Sequence, residues 1–315
     1  MRAMTIADGT VRVDTVPDVV PGDGEVLIEV RAAGVNRADL LQVSGNYPSP
    51  PGAPSWPGLE VSGSVIAVGE GVDLPLEQEV CALLPGGGWA EFVTVDAGLV
   101  LPKPTGVSLI EAAGLPEVAA TVHSNLGDQF SEPGQRALIH GASGGIGTFA
   151  VQYASKVGRA EVWATARETF ASALHDLGAS EVIDYRHDDF AARLRAAGGA
   201  DVILDVIGAA YLEGNVAALR PDGTLVVIGL QKGRRAELDL GSLLPKRLTV
   251  RGSTLRGRPL EQKRDIMSAV HREVWPYIGE SIHPVVDKVV PMERAADALQ
   301  SLRAGGQWGK IVLSQ

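Results

Sequence analysis

The segment Ala142-Ser143-Gly144-Gly145-Ile146-Gly147 follows an apolar run, Arg136-Ala-Leu-Ile-His-Gly-Ala142, and opens a helix-like stretch near 145–158. A glycine-rich turn between a strand and a helix is a place where a dinucleotide pyrophosphate can be held. Gly144 admits close backbone approach, Gly147 lets helix and strand pack closely, and the amides at the helix N-terminus face the anion. Ala142 replaces the first glycine of the G-x-G-x-x-G pattern, so the weight rests on the setting; the competing reading is a tight turn without a ligand. The second apolar run ends in Trp163-Ala-Thr165-Ala-Arg167, with no acid until Glu168. An acid at such a strand end binds the ribose 2′-hydroxyl of NAD, whereas a planar guanidinium suits the 2′-phosphate of NADP. Arg167 thus favours NADPH over a role as a solvated surface charge.

These residues need a rigid frame, and the chain supplies its pattern. From about Arg136, apolar strands alternate with helical stretches: Arg136–Ala142, Glu161–Thr165, Glu181–Asp184, Asp201–Ile207 and Thr224–Gly229, with Leu248–Gly252 as a sixth strand. Helices are expected near 145–158, 169–177, 188–197 and 211–219. Near-continuous Val/Ile/Leu strands mean burial on both faces, as in a doubly wound parallel sheet. Residues 1 to about 112 read instead as short strands between Gly/Pro turns, including Val11–Val13, Glu25–Arg31, Gly63–Gly69 and the alternating Ala90–Val95. A long Pro- and Gly-rich loop runs from Gly45 to Gly58. The tail, ending in Gly309-Lys-Ile-Val-Leu313, returns to strand character and is expected to rejoin the first module.

Composition narrows the function. The 315 residues carry 28 Lys+Arg against 38 Asp+Glu, a formal charge of −10, which disfavours broad polyanion binding. Five each of Trp, Tyr and Phe leave few stacking surfaces for nucleic-acid bases. Cys81 is the only cysteine, which excludes an internal disulfide and any zinc site built on two or more thiolates. The N-terminus lacks the apolar region of a signal peptide and no apolar run reaches membrane-spanning length, so a cytoplasmic location is expected.

Several motifs together resemble the zinc-free quinone oxidoreductases of the medium-chain dehydrogenase/reductase superfamily. They are Gly34-Val-Asn36-Arg-Ala-Asp39-Leu-Leu, Gly45-Asn-Tyr47-Pro, Pro57-Gly-Leu59-Glu60-Val-Ser-Gly63 and Leu84-Pro-Gly-Gly-Gly88, followed by Leu115-Pro-Glu117, His140–Gly147 and Gly309-Lys310-Ile-Val-Leu313. The subgroup of stress-induced, zeta-crystallin-like enzymes is the most similar in look. The resemblance implies an α/β protein with a GroES-like β-barrel catalytic domain over 1–113 and 255–315, and a Rossmann doubly wound parallel sheet over 114–254. It implies NADPH, no flavin and no zinc. Zinc-dependent relatives place a Cys ligand where this chain has Asn36 and a His ligand where it has Leu59, and neither replacement can serve zinc.

By the same resemblance, Asn36 faces the nicotinamide and the reacting carbonyl, and Tyr47 lines the quinone pocket; for Tyr47 the competing role is packing on neighbouring prolines. Asp39 divides between a helix cap and the site. Thr121 matches the threonine behind the nicotinamide, although Val118–His123 departs from the family's aromatic-containing string. His123 reads as structural. Tyr185 matches a contact to the adenosine end, Gly229 and Leu230 a loop on the nicotinamide side, and Ser253 and Leu255 the nicotinamide ribose and subunit contact. The lysine that many relatives use for the 2′-phosphate has no counterpart at Thr169 and Phe170.

The chemistry implied is hydride transfer from NADPH to a quinone, with Asn36 or Tyr47 stabilising charge on the acceptor oxygen. A rival is an enoyl reductase of α,β-unsaturated thioesters or ketones, with Tyr47 as proton donor. Its basic carrier patch would be Lys246, Arg247, Arg251, Arg256 and Arg258, which read more naturally as a solvated charged face. A distant third is a non-catalytic, crystallin-like or RNA-binding protein, disfavoured by the charge. A homodimer is expected, paired through the edge strand Leu248–Ser253.

Overall fold

The computed structural model describes all 315 residues. The chain divides into two compact units, one of Met1–Ala120 with Leu255–Gln315, the other of Thr121–Thr254.

The first unit is organised by the strand Glu25–Val35, whose two halves do different work. Its first half alternates buried and more exposed residues, with Val26, Ile28 and Val30 inward. Its second half, Ala32, Ala33 and Val35, is covered on both faces, and Ala32 packs with Ala113 and Val312. Along one edge it pairs antiparallel with Glu60–Val68. The other edge is shared by Phe92–Asp96 on the first half and Lys310–Ser314 on the second. Register shifts at Leu27/Ile28 and Val30/Ala32 supply the bends that let a seven-stranded sheet curl. The C-terminal tail is therefore an interior strand of the first module, flanked by Val286–Pro291 on its far side, as the sequence pattern predicts.

The second unit holds a six-stranded, wholly parallel sheet. Counted in chain order, its strands lie third-second-first-fourth-fifth-sixth, the dinucleotide-binding arrangement. They are Arg136–His140, Glu161–Ala166, Glu181–Asp184, Ala200–Asp205, Leu219–Val227 and Thr249–Gly252. Ala200–Asp205 is buried at every position, which is why its centre, Val202-Ile-Leu204, is wholly apolar. Leu138, Trp163, Ile183, Ile203 and Leu225 make one core with Phe190 and Leu194 of the helix Phe190–Ala196. The predicted α/β class, with a strand-rich module and a doubly wound sheet, is the observed one. Thr249–Gly252 stands at the sheet edge, as expected, with Val250 exposed.

Candidate functional site

In the first unit, Asn36 ends the strand Glu25–Val35 and begins the short helix Arg37–Val43. Its backbone N–H donates to Asp39 Oδ2 at 2.7 Å, and Asp39 Oδ1 accepts from Gly58 N at 2.9 Å. Asp39 is fully buried, so it ties the helix start to the end of the Gly45–Gly58 loop. Asp39 is thus a helix-capping residue, and the residue it caps is Asn36. Burial pushes its carboxyl up to about 6, against the opposing pull of the two amides.

The Asn36 side chain is held on both sides. Its Nδ2 donates to Glu60 Oε1 at 2.9 Å, and its Oδ1 accepts from Lys310 Nζ at 2.8 Å. Lys310 also ion-pairs with Glu60, and both are buried, at 6% and 0% exposure. Glu60 Oε2 accepts from the backbone N–H of Glu117 at 3.0 Å. One amide hydrogen of Asn36 is left to donate.

Tyr47 is partly buried beneath Arg256, whose guanidinium carbon lies 5.2 Å from the ring centroid. Arg256 further donates to Pro85 O at 2.7 Å, Ser49 Oγ at 3.2 Å and Tyr47 O at 3.5 Å. At 6% exposure it corrects the expectation of a solvated charged face. A guanidinium can be buried here because carbonyls, a hydroxyl and an aromatic face replace its water. Nor do its expected neighbours form a free basic patch. Lys246 donates to Ala217 O and Leu219 O, Arg247 pairs with Asp222, and Arg251 with Asp128.

In the second unit, the helix Gly145–Lys156 starts at Gly144 with no side-chain cap, so no side chain competes for its first amides. A Cβ on Gly147 would stand 2.3 Å from Gly141 O and 2.5 Å from Ala142 Cα, closer than any real contact. On Gly144 it would meet only Gly141 O at 3.5 Å, so this face of the turn, with Ser143, Gly145 and Ile146 beside it, is open to approach. The turn therefore fits a dinucleotide pyrophosphate. Arg167 follows the strand Glu161–Ala166, is partly exposed and engages no carboxylate. Tyr185 is exposed after the third strand of the sheet, with Lys232 Nζ 5.9 Å from its ring. Gly229 follows Leu219–Val227 and Leu230 beside it is exposed. Ser253 N donates to Val227 O at 3.1 Å, while Leu255, in the first unit, is buried. Thr121 lies in the helix Pro116–Leu126, its carbonyl accepting from Asn125 Nδ2 at 2.7 Å.

Thr165 is inward and 1% exposed, its Oγ1 2.9 Å from His140 Nδ1. His140 Nε2 meets Asn215 Oδ1 at 2.7 Å, and Asn215 Nδ2 donates to Asp205 Oδ2 at 3.1 Å. Burial pushes His140 down to about 4, so it is neutral at pH 7. His123, read as structural, meets the Tyr153 hydroxyl at 2.9 Å.

Glu60, Lys310 and Glu117 stand inside the sequence motifs, yet sequence reasoning assigns them no role. Their only signal is the motifs themselves; the contacts that define them join residues 24 and 274 positions apart from Asn36. No group of three or more His, Cys, Asp and Glu is arranged to hold a metal ion.

Comparison with known proteins matches this arrangement. Residues 22–105 match the alcohol dehydrogenase GroES-like domain and residues 145–274 the zinc-binding dehydrogenase family. The chain belongs to the medium-chain dehydrogenase/reductase superfamily. It is 31% identical to the human synaptic vesicle membrane protein VAT-1 homolog, over 93% of this chain and 79% of that protein. It is 34% identical to a mycocerosic acid synthase-like polyketide synthase of Mycobacterium tuberculosis, over 94% of this chain but 14% of that protein. The crystal structure of the quinone oxidoreductase from Thermus thermophilus, also described in complex with NADPH, superposes with a TM-score of 0.87 at 31% identity, each chain fully covered. An oxidoreductase of the medium-chain dehydrogenase/reductase type is thus the class this fold defines. No helix is long and apolar enough to cross a membrane.

Proposed function

We propose that the protein is an NADPH-dependent, zinc-free and flavin-free reductase of quinones, with Asn36 and Tyr47 lining the acceptor site. The observation that carries this reading is the clamped Asn36 amide. Glu60 and Lys310 fix both its ends and leave one N–H for an acceptor oxygen. A preorganised donor stabilises charge that develops on a carbonyl oxygen without reorganising during the reaction. When bound, NADPH supplies the hydride. Ser143, Gly144, Gly145, Ile146 and Gly147 would hold its pyrophosphate. Arg167 would take the 2′-phosphate, with Thr165, Tyr185, Gly229, Leu230, Ser253, Leu255 and Thr121 along the rest of the cofactor. Tyr47, pressed under Arg256, offers an aromatic wall to a flat acceptor. A homodimer paired through Thr249–Gly252, acting in the cytoplasm, completes the proposal.

Fluorescence titration with NADPH and NADH, on wild type and Arg167→Ala, tests the cofactor. NADPH should bind at least tenfold more tightly, and the substitution should erase the difference; equal binding of both cofactors by wild type overturns the Arg167 clamp. Steady-state turnover of 1,2-naphthoquinone against a crotonyl thioester tests the acceptor. The match to a polyketide synthase favours the second reading, an enoyl reductase, and preference for the thioester would install it.

A further inference from the structure

The geometry points to Glu117 as the proton donor to the acceptor oxygen held at Asn36. This rests on the reductase reading above and supplies the group that it lacks.

Two carboxyl groups hold Asn36 and are committed there, and a third, that of Glu117, faces both of them. Asp39 accepts the amides of Asn36 and Gly58. Glu60 accepts from Asn36 Nδ2, from the Glu117 backbone and from Lys310. Glu117 stands in the first turn of Pro116–Leu126, one hydrogen bond from the carboxylate that grips Asn36. Its own carboxyl is partly buried, pairs with no cation and accepts no hydrogen bond. Among the charges facing it, Glu60 and Asp39 disfavour its ionisation, while Lys310, Arg256 and, from the helix Leu260–Glu273, Lys263 favour it. Lys310, however, is spent on Glu60, and Arg256 on Pro85, Ser49 and Tyr47. Burial comes first among the causes and pushes Glu117 up to about 8, so it is a neutral acid at pH 7.

The stoichiometry requires one proton beyond the hydride. Reduction of a quinone by a hydride brings two electrons and one hydrogen nucleus, forms one O–H bond and leaves the second oxygen an oxyanion. The O–H bond of Glu117 breaks, its proton forms the second O–H bond of the hydroquinone, and water returns a proton to the carboxylate.

The first test uses cofactor-free protein: 13C NMR of glutamate labelled at the side-chain carboxyl, comparing wild type with Glu117→Gln. A resonance titrating near pH 8 that is absent from the variant supports the donor; one titrating near 4 overturns it. The second test is kinetic. Wild-type kcat/KM for 1,2-naphthoquinone should fall tenfold per pH unit above about 8, and in Glu117→Gln this limb should vanish as the rate at pH 7 drops roughly 100-fold. An unchanged rate and profile overturn the proposal. N-methylacridinium accepts a hydride and needs no proton, so the variant should reduce it within about twofold of wild type; an equal loss there makes the residue merely structural. Should Glu117→Gln not fold, Glu117→Asp must keep the alkaline limb at reduced kcat, and its loss overturns the donor. A wild type that reduces acridinium but no quinone defeats the reductase reading and the donor together. An active wild type with an indifferent variant defeats the donor alone.

Discussion

Lys310 Nζ donates to Asn36 Oδ1 at 2.8 Å across 274 residues of chain. The contact exists because the strand Lys310–Ser314 pairs with the second half of Glu25–Val35, placing Ile311 opposite Val35. Sheet register therefore sets the geometry of the amide, and the ion pair with Glu60 holds it.

Removing the cation should cost more than the pair is worth. Lys310→Met leaves Glu60 charged, fully buried and without its cation, and should lower stability by about 3–5 kcal/mol. Urea denaturation gives the number. Glu60→Gln combined with Lys310→Met should recover part of the loss, since no buried charge is then stranded.

Arg256→Lys tests the support of Tyr47. A lysine cannot reach Pro85 O, Ser49 Oγ and Tyr47 O together or stack a planar fork on the ring. A loss of about 1–3 kcal/mol and a higher KM for the acceptor, with NADPH affinity unchanged, are expected. A KM equal to wild type would separate Arg256 from the acceptor pocket.

The two glycines of the turn should fail differently. Gly147→Ala places a methyl 2.3 Å from a backbone oxygen, so the strand-to-helix joint must shift and thermal stability should fall by several degrees. Gly144→Ala meets nothing closer than 3.5 Å, so stability should hold while NADPH affinity drops. Differential scanning calorimetry paired with cofactor titration distinguishes them.

His140 gives a pH signature. Its folded pKa, about 4, lies below the ordinary value of 6.5, so the unfolded chain binds the extra proton between them. Its contribution is full above pH 6.5 and is lost as the pH falls towards 4, by roughly 3 kcal/mol in all. Asp39 and Asp205, both raised to about 6 by burial, act in the opposite sense, so the comparison must be with His140→Gln. The difference in urea midpoint between wild type and variant should narrow on acidification.

The glycine-rich turn and the parallel strands were legible because local spacing encodes them: Gly147 is required by atoms only five and six residues away. The return of the tail was legible from its strand character and its motif. Arg256 was misread because a charged residue among other charged residues looks solvated, and only tertiary contacts with Pro85 and Tyr47 show otherwise. Glu117 escaped for a related reason. Nothing local marks a glutamate after a proline as an acid, since its protonation is set first by burial in the folded unit and then by Glu60, brought to it from a distant strand.

The interior position of Lys310–Ser314 has a consequence for biosynthesis. A ribosome that has released residues 121–254 has already delivered the whole dinucleotide sheet, which can form from contiguous chain. The first module still lacks a central strand then, and the carboxylate of Glu60 has no cation until Lys310 emerges. Its assembly therefore waits until Lys310–Ser314 has emerged. Until then the free edge of Ala32–Val35 is exposed to other chains, a stage at which a chaperone would matter most.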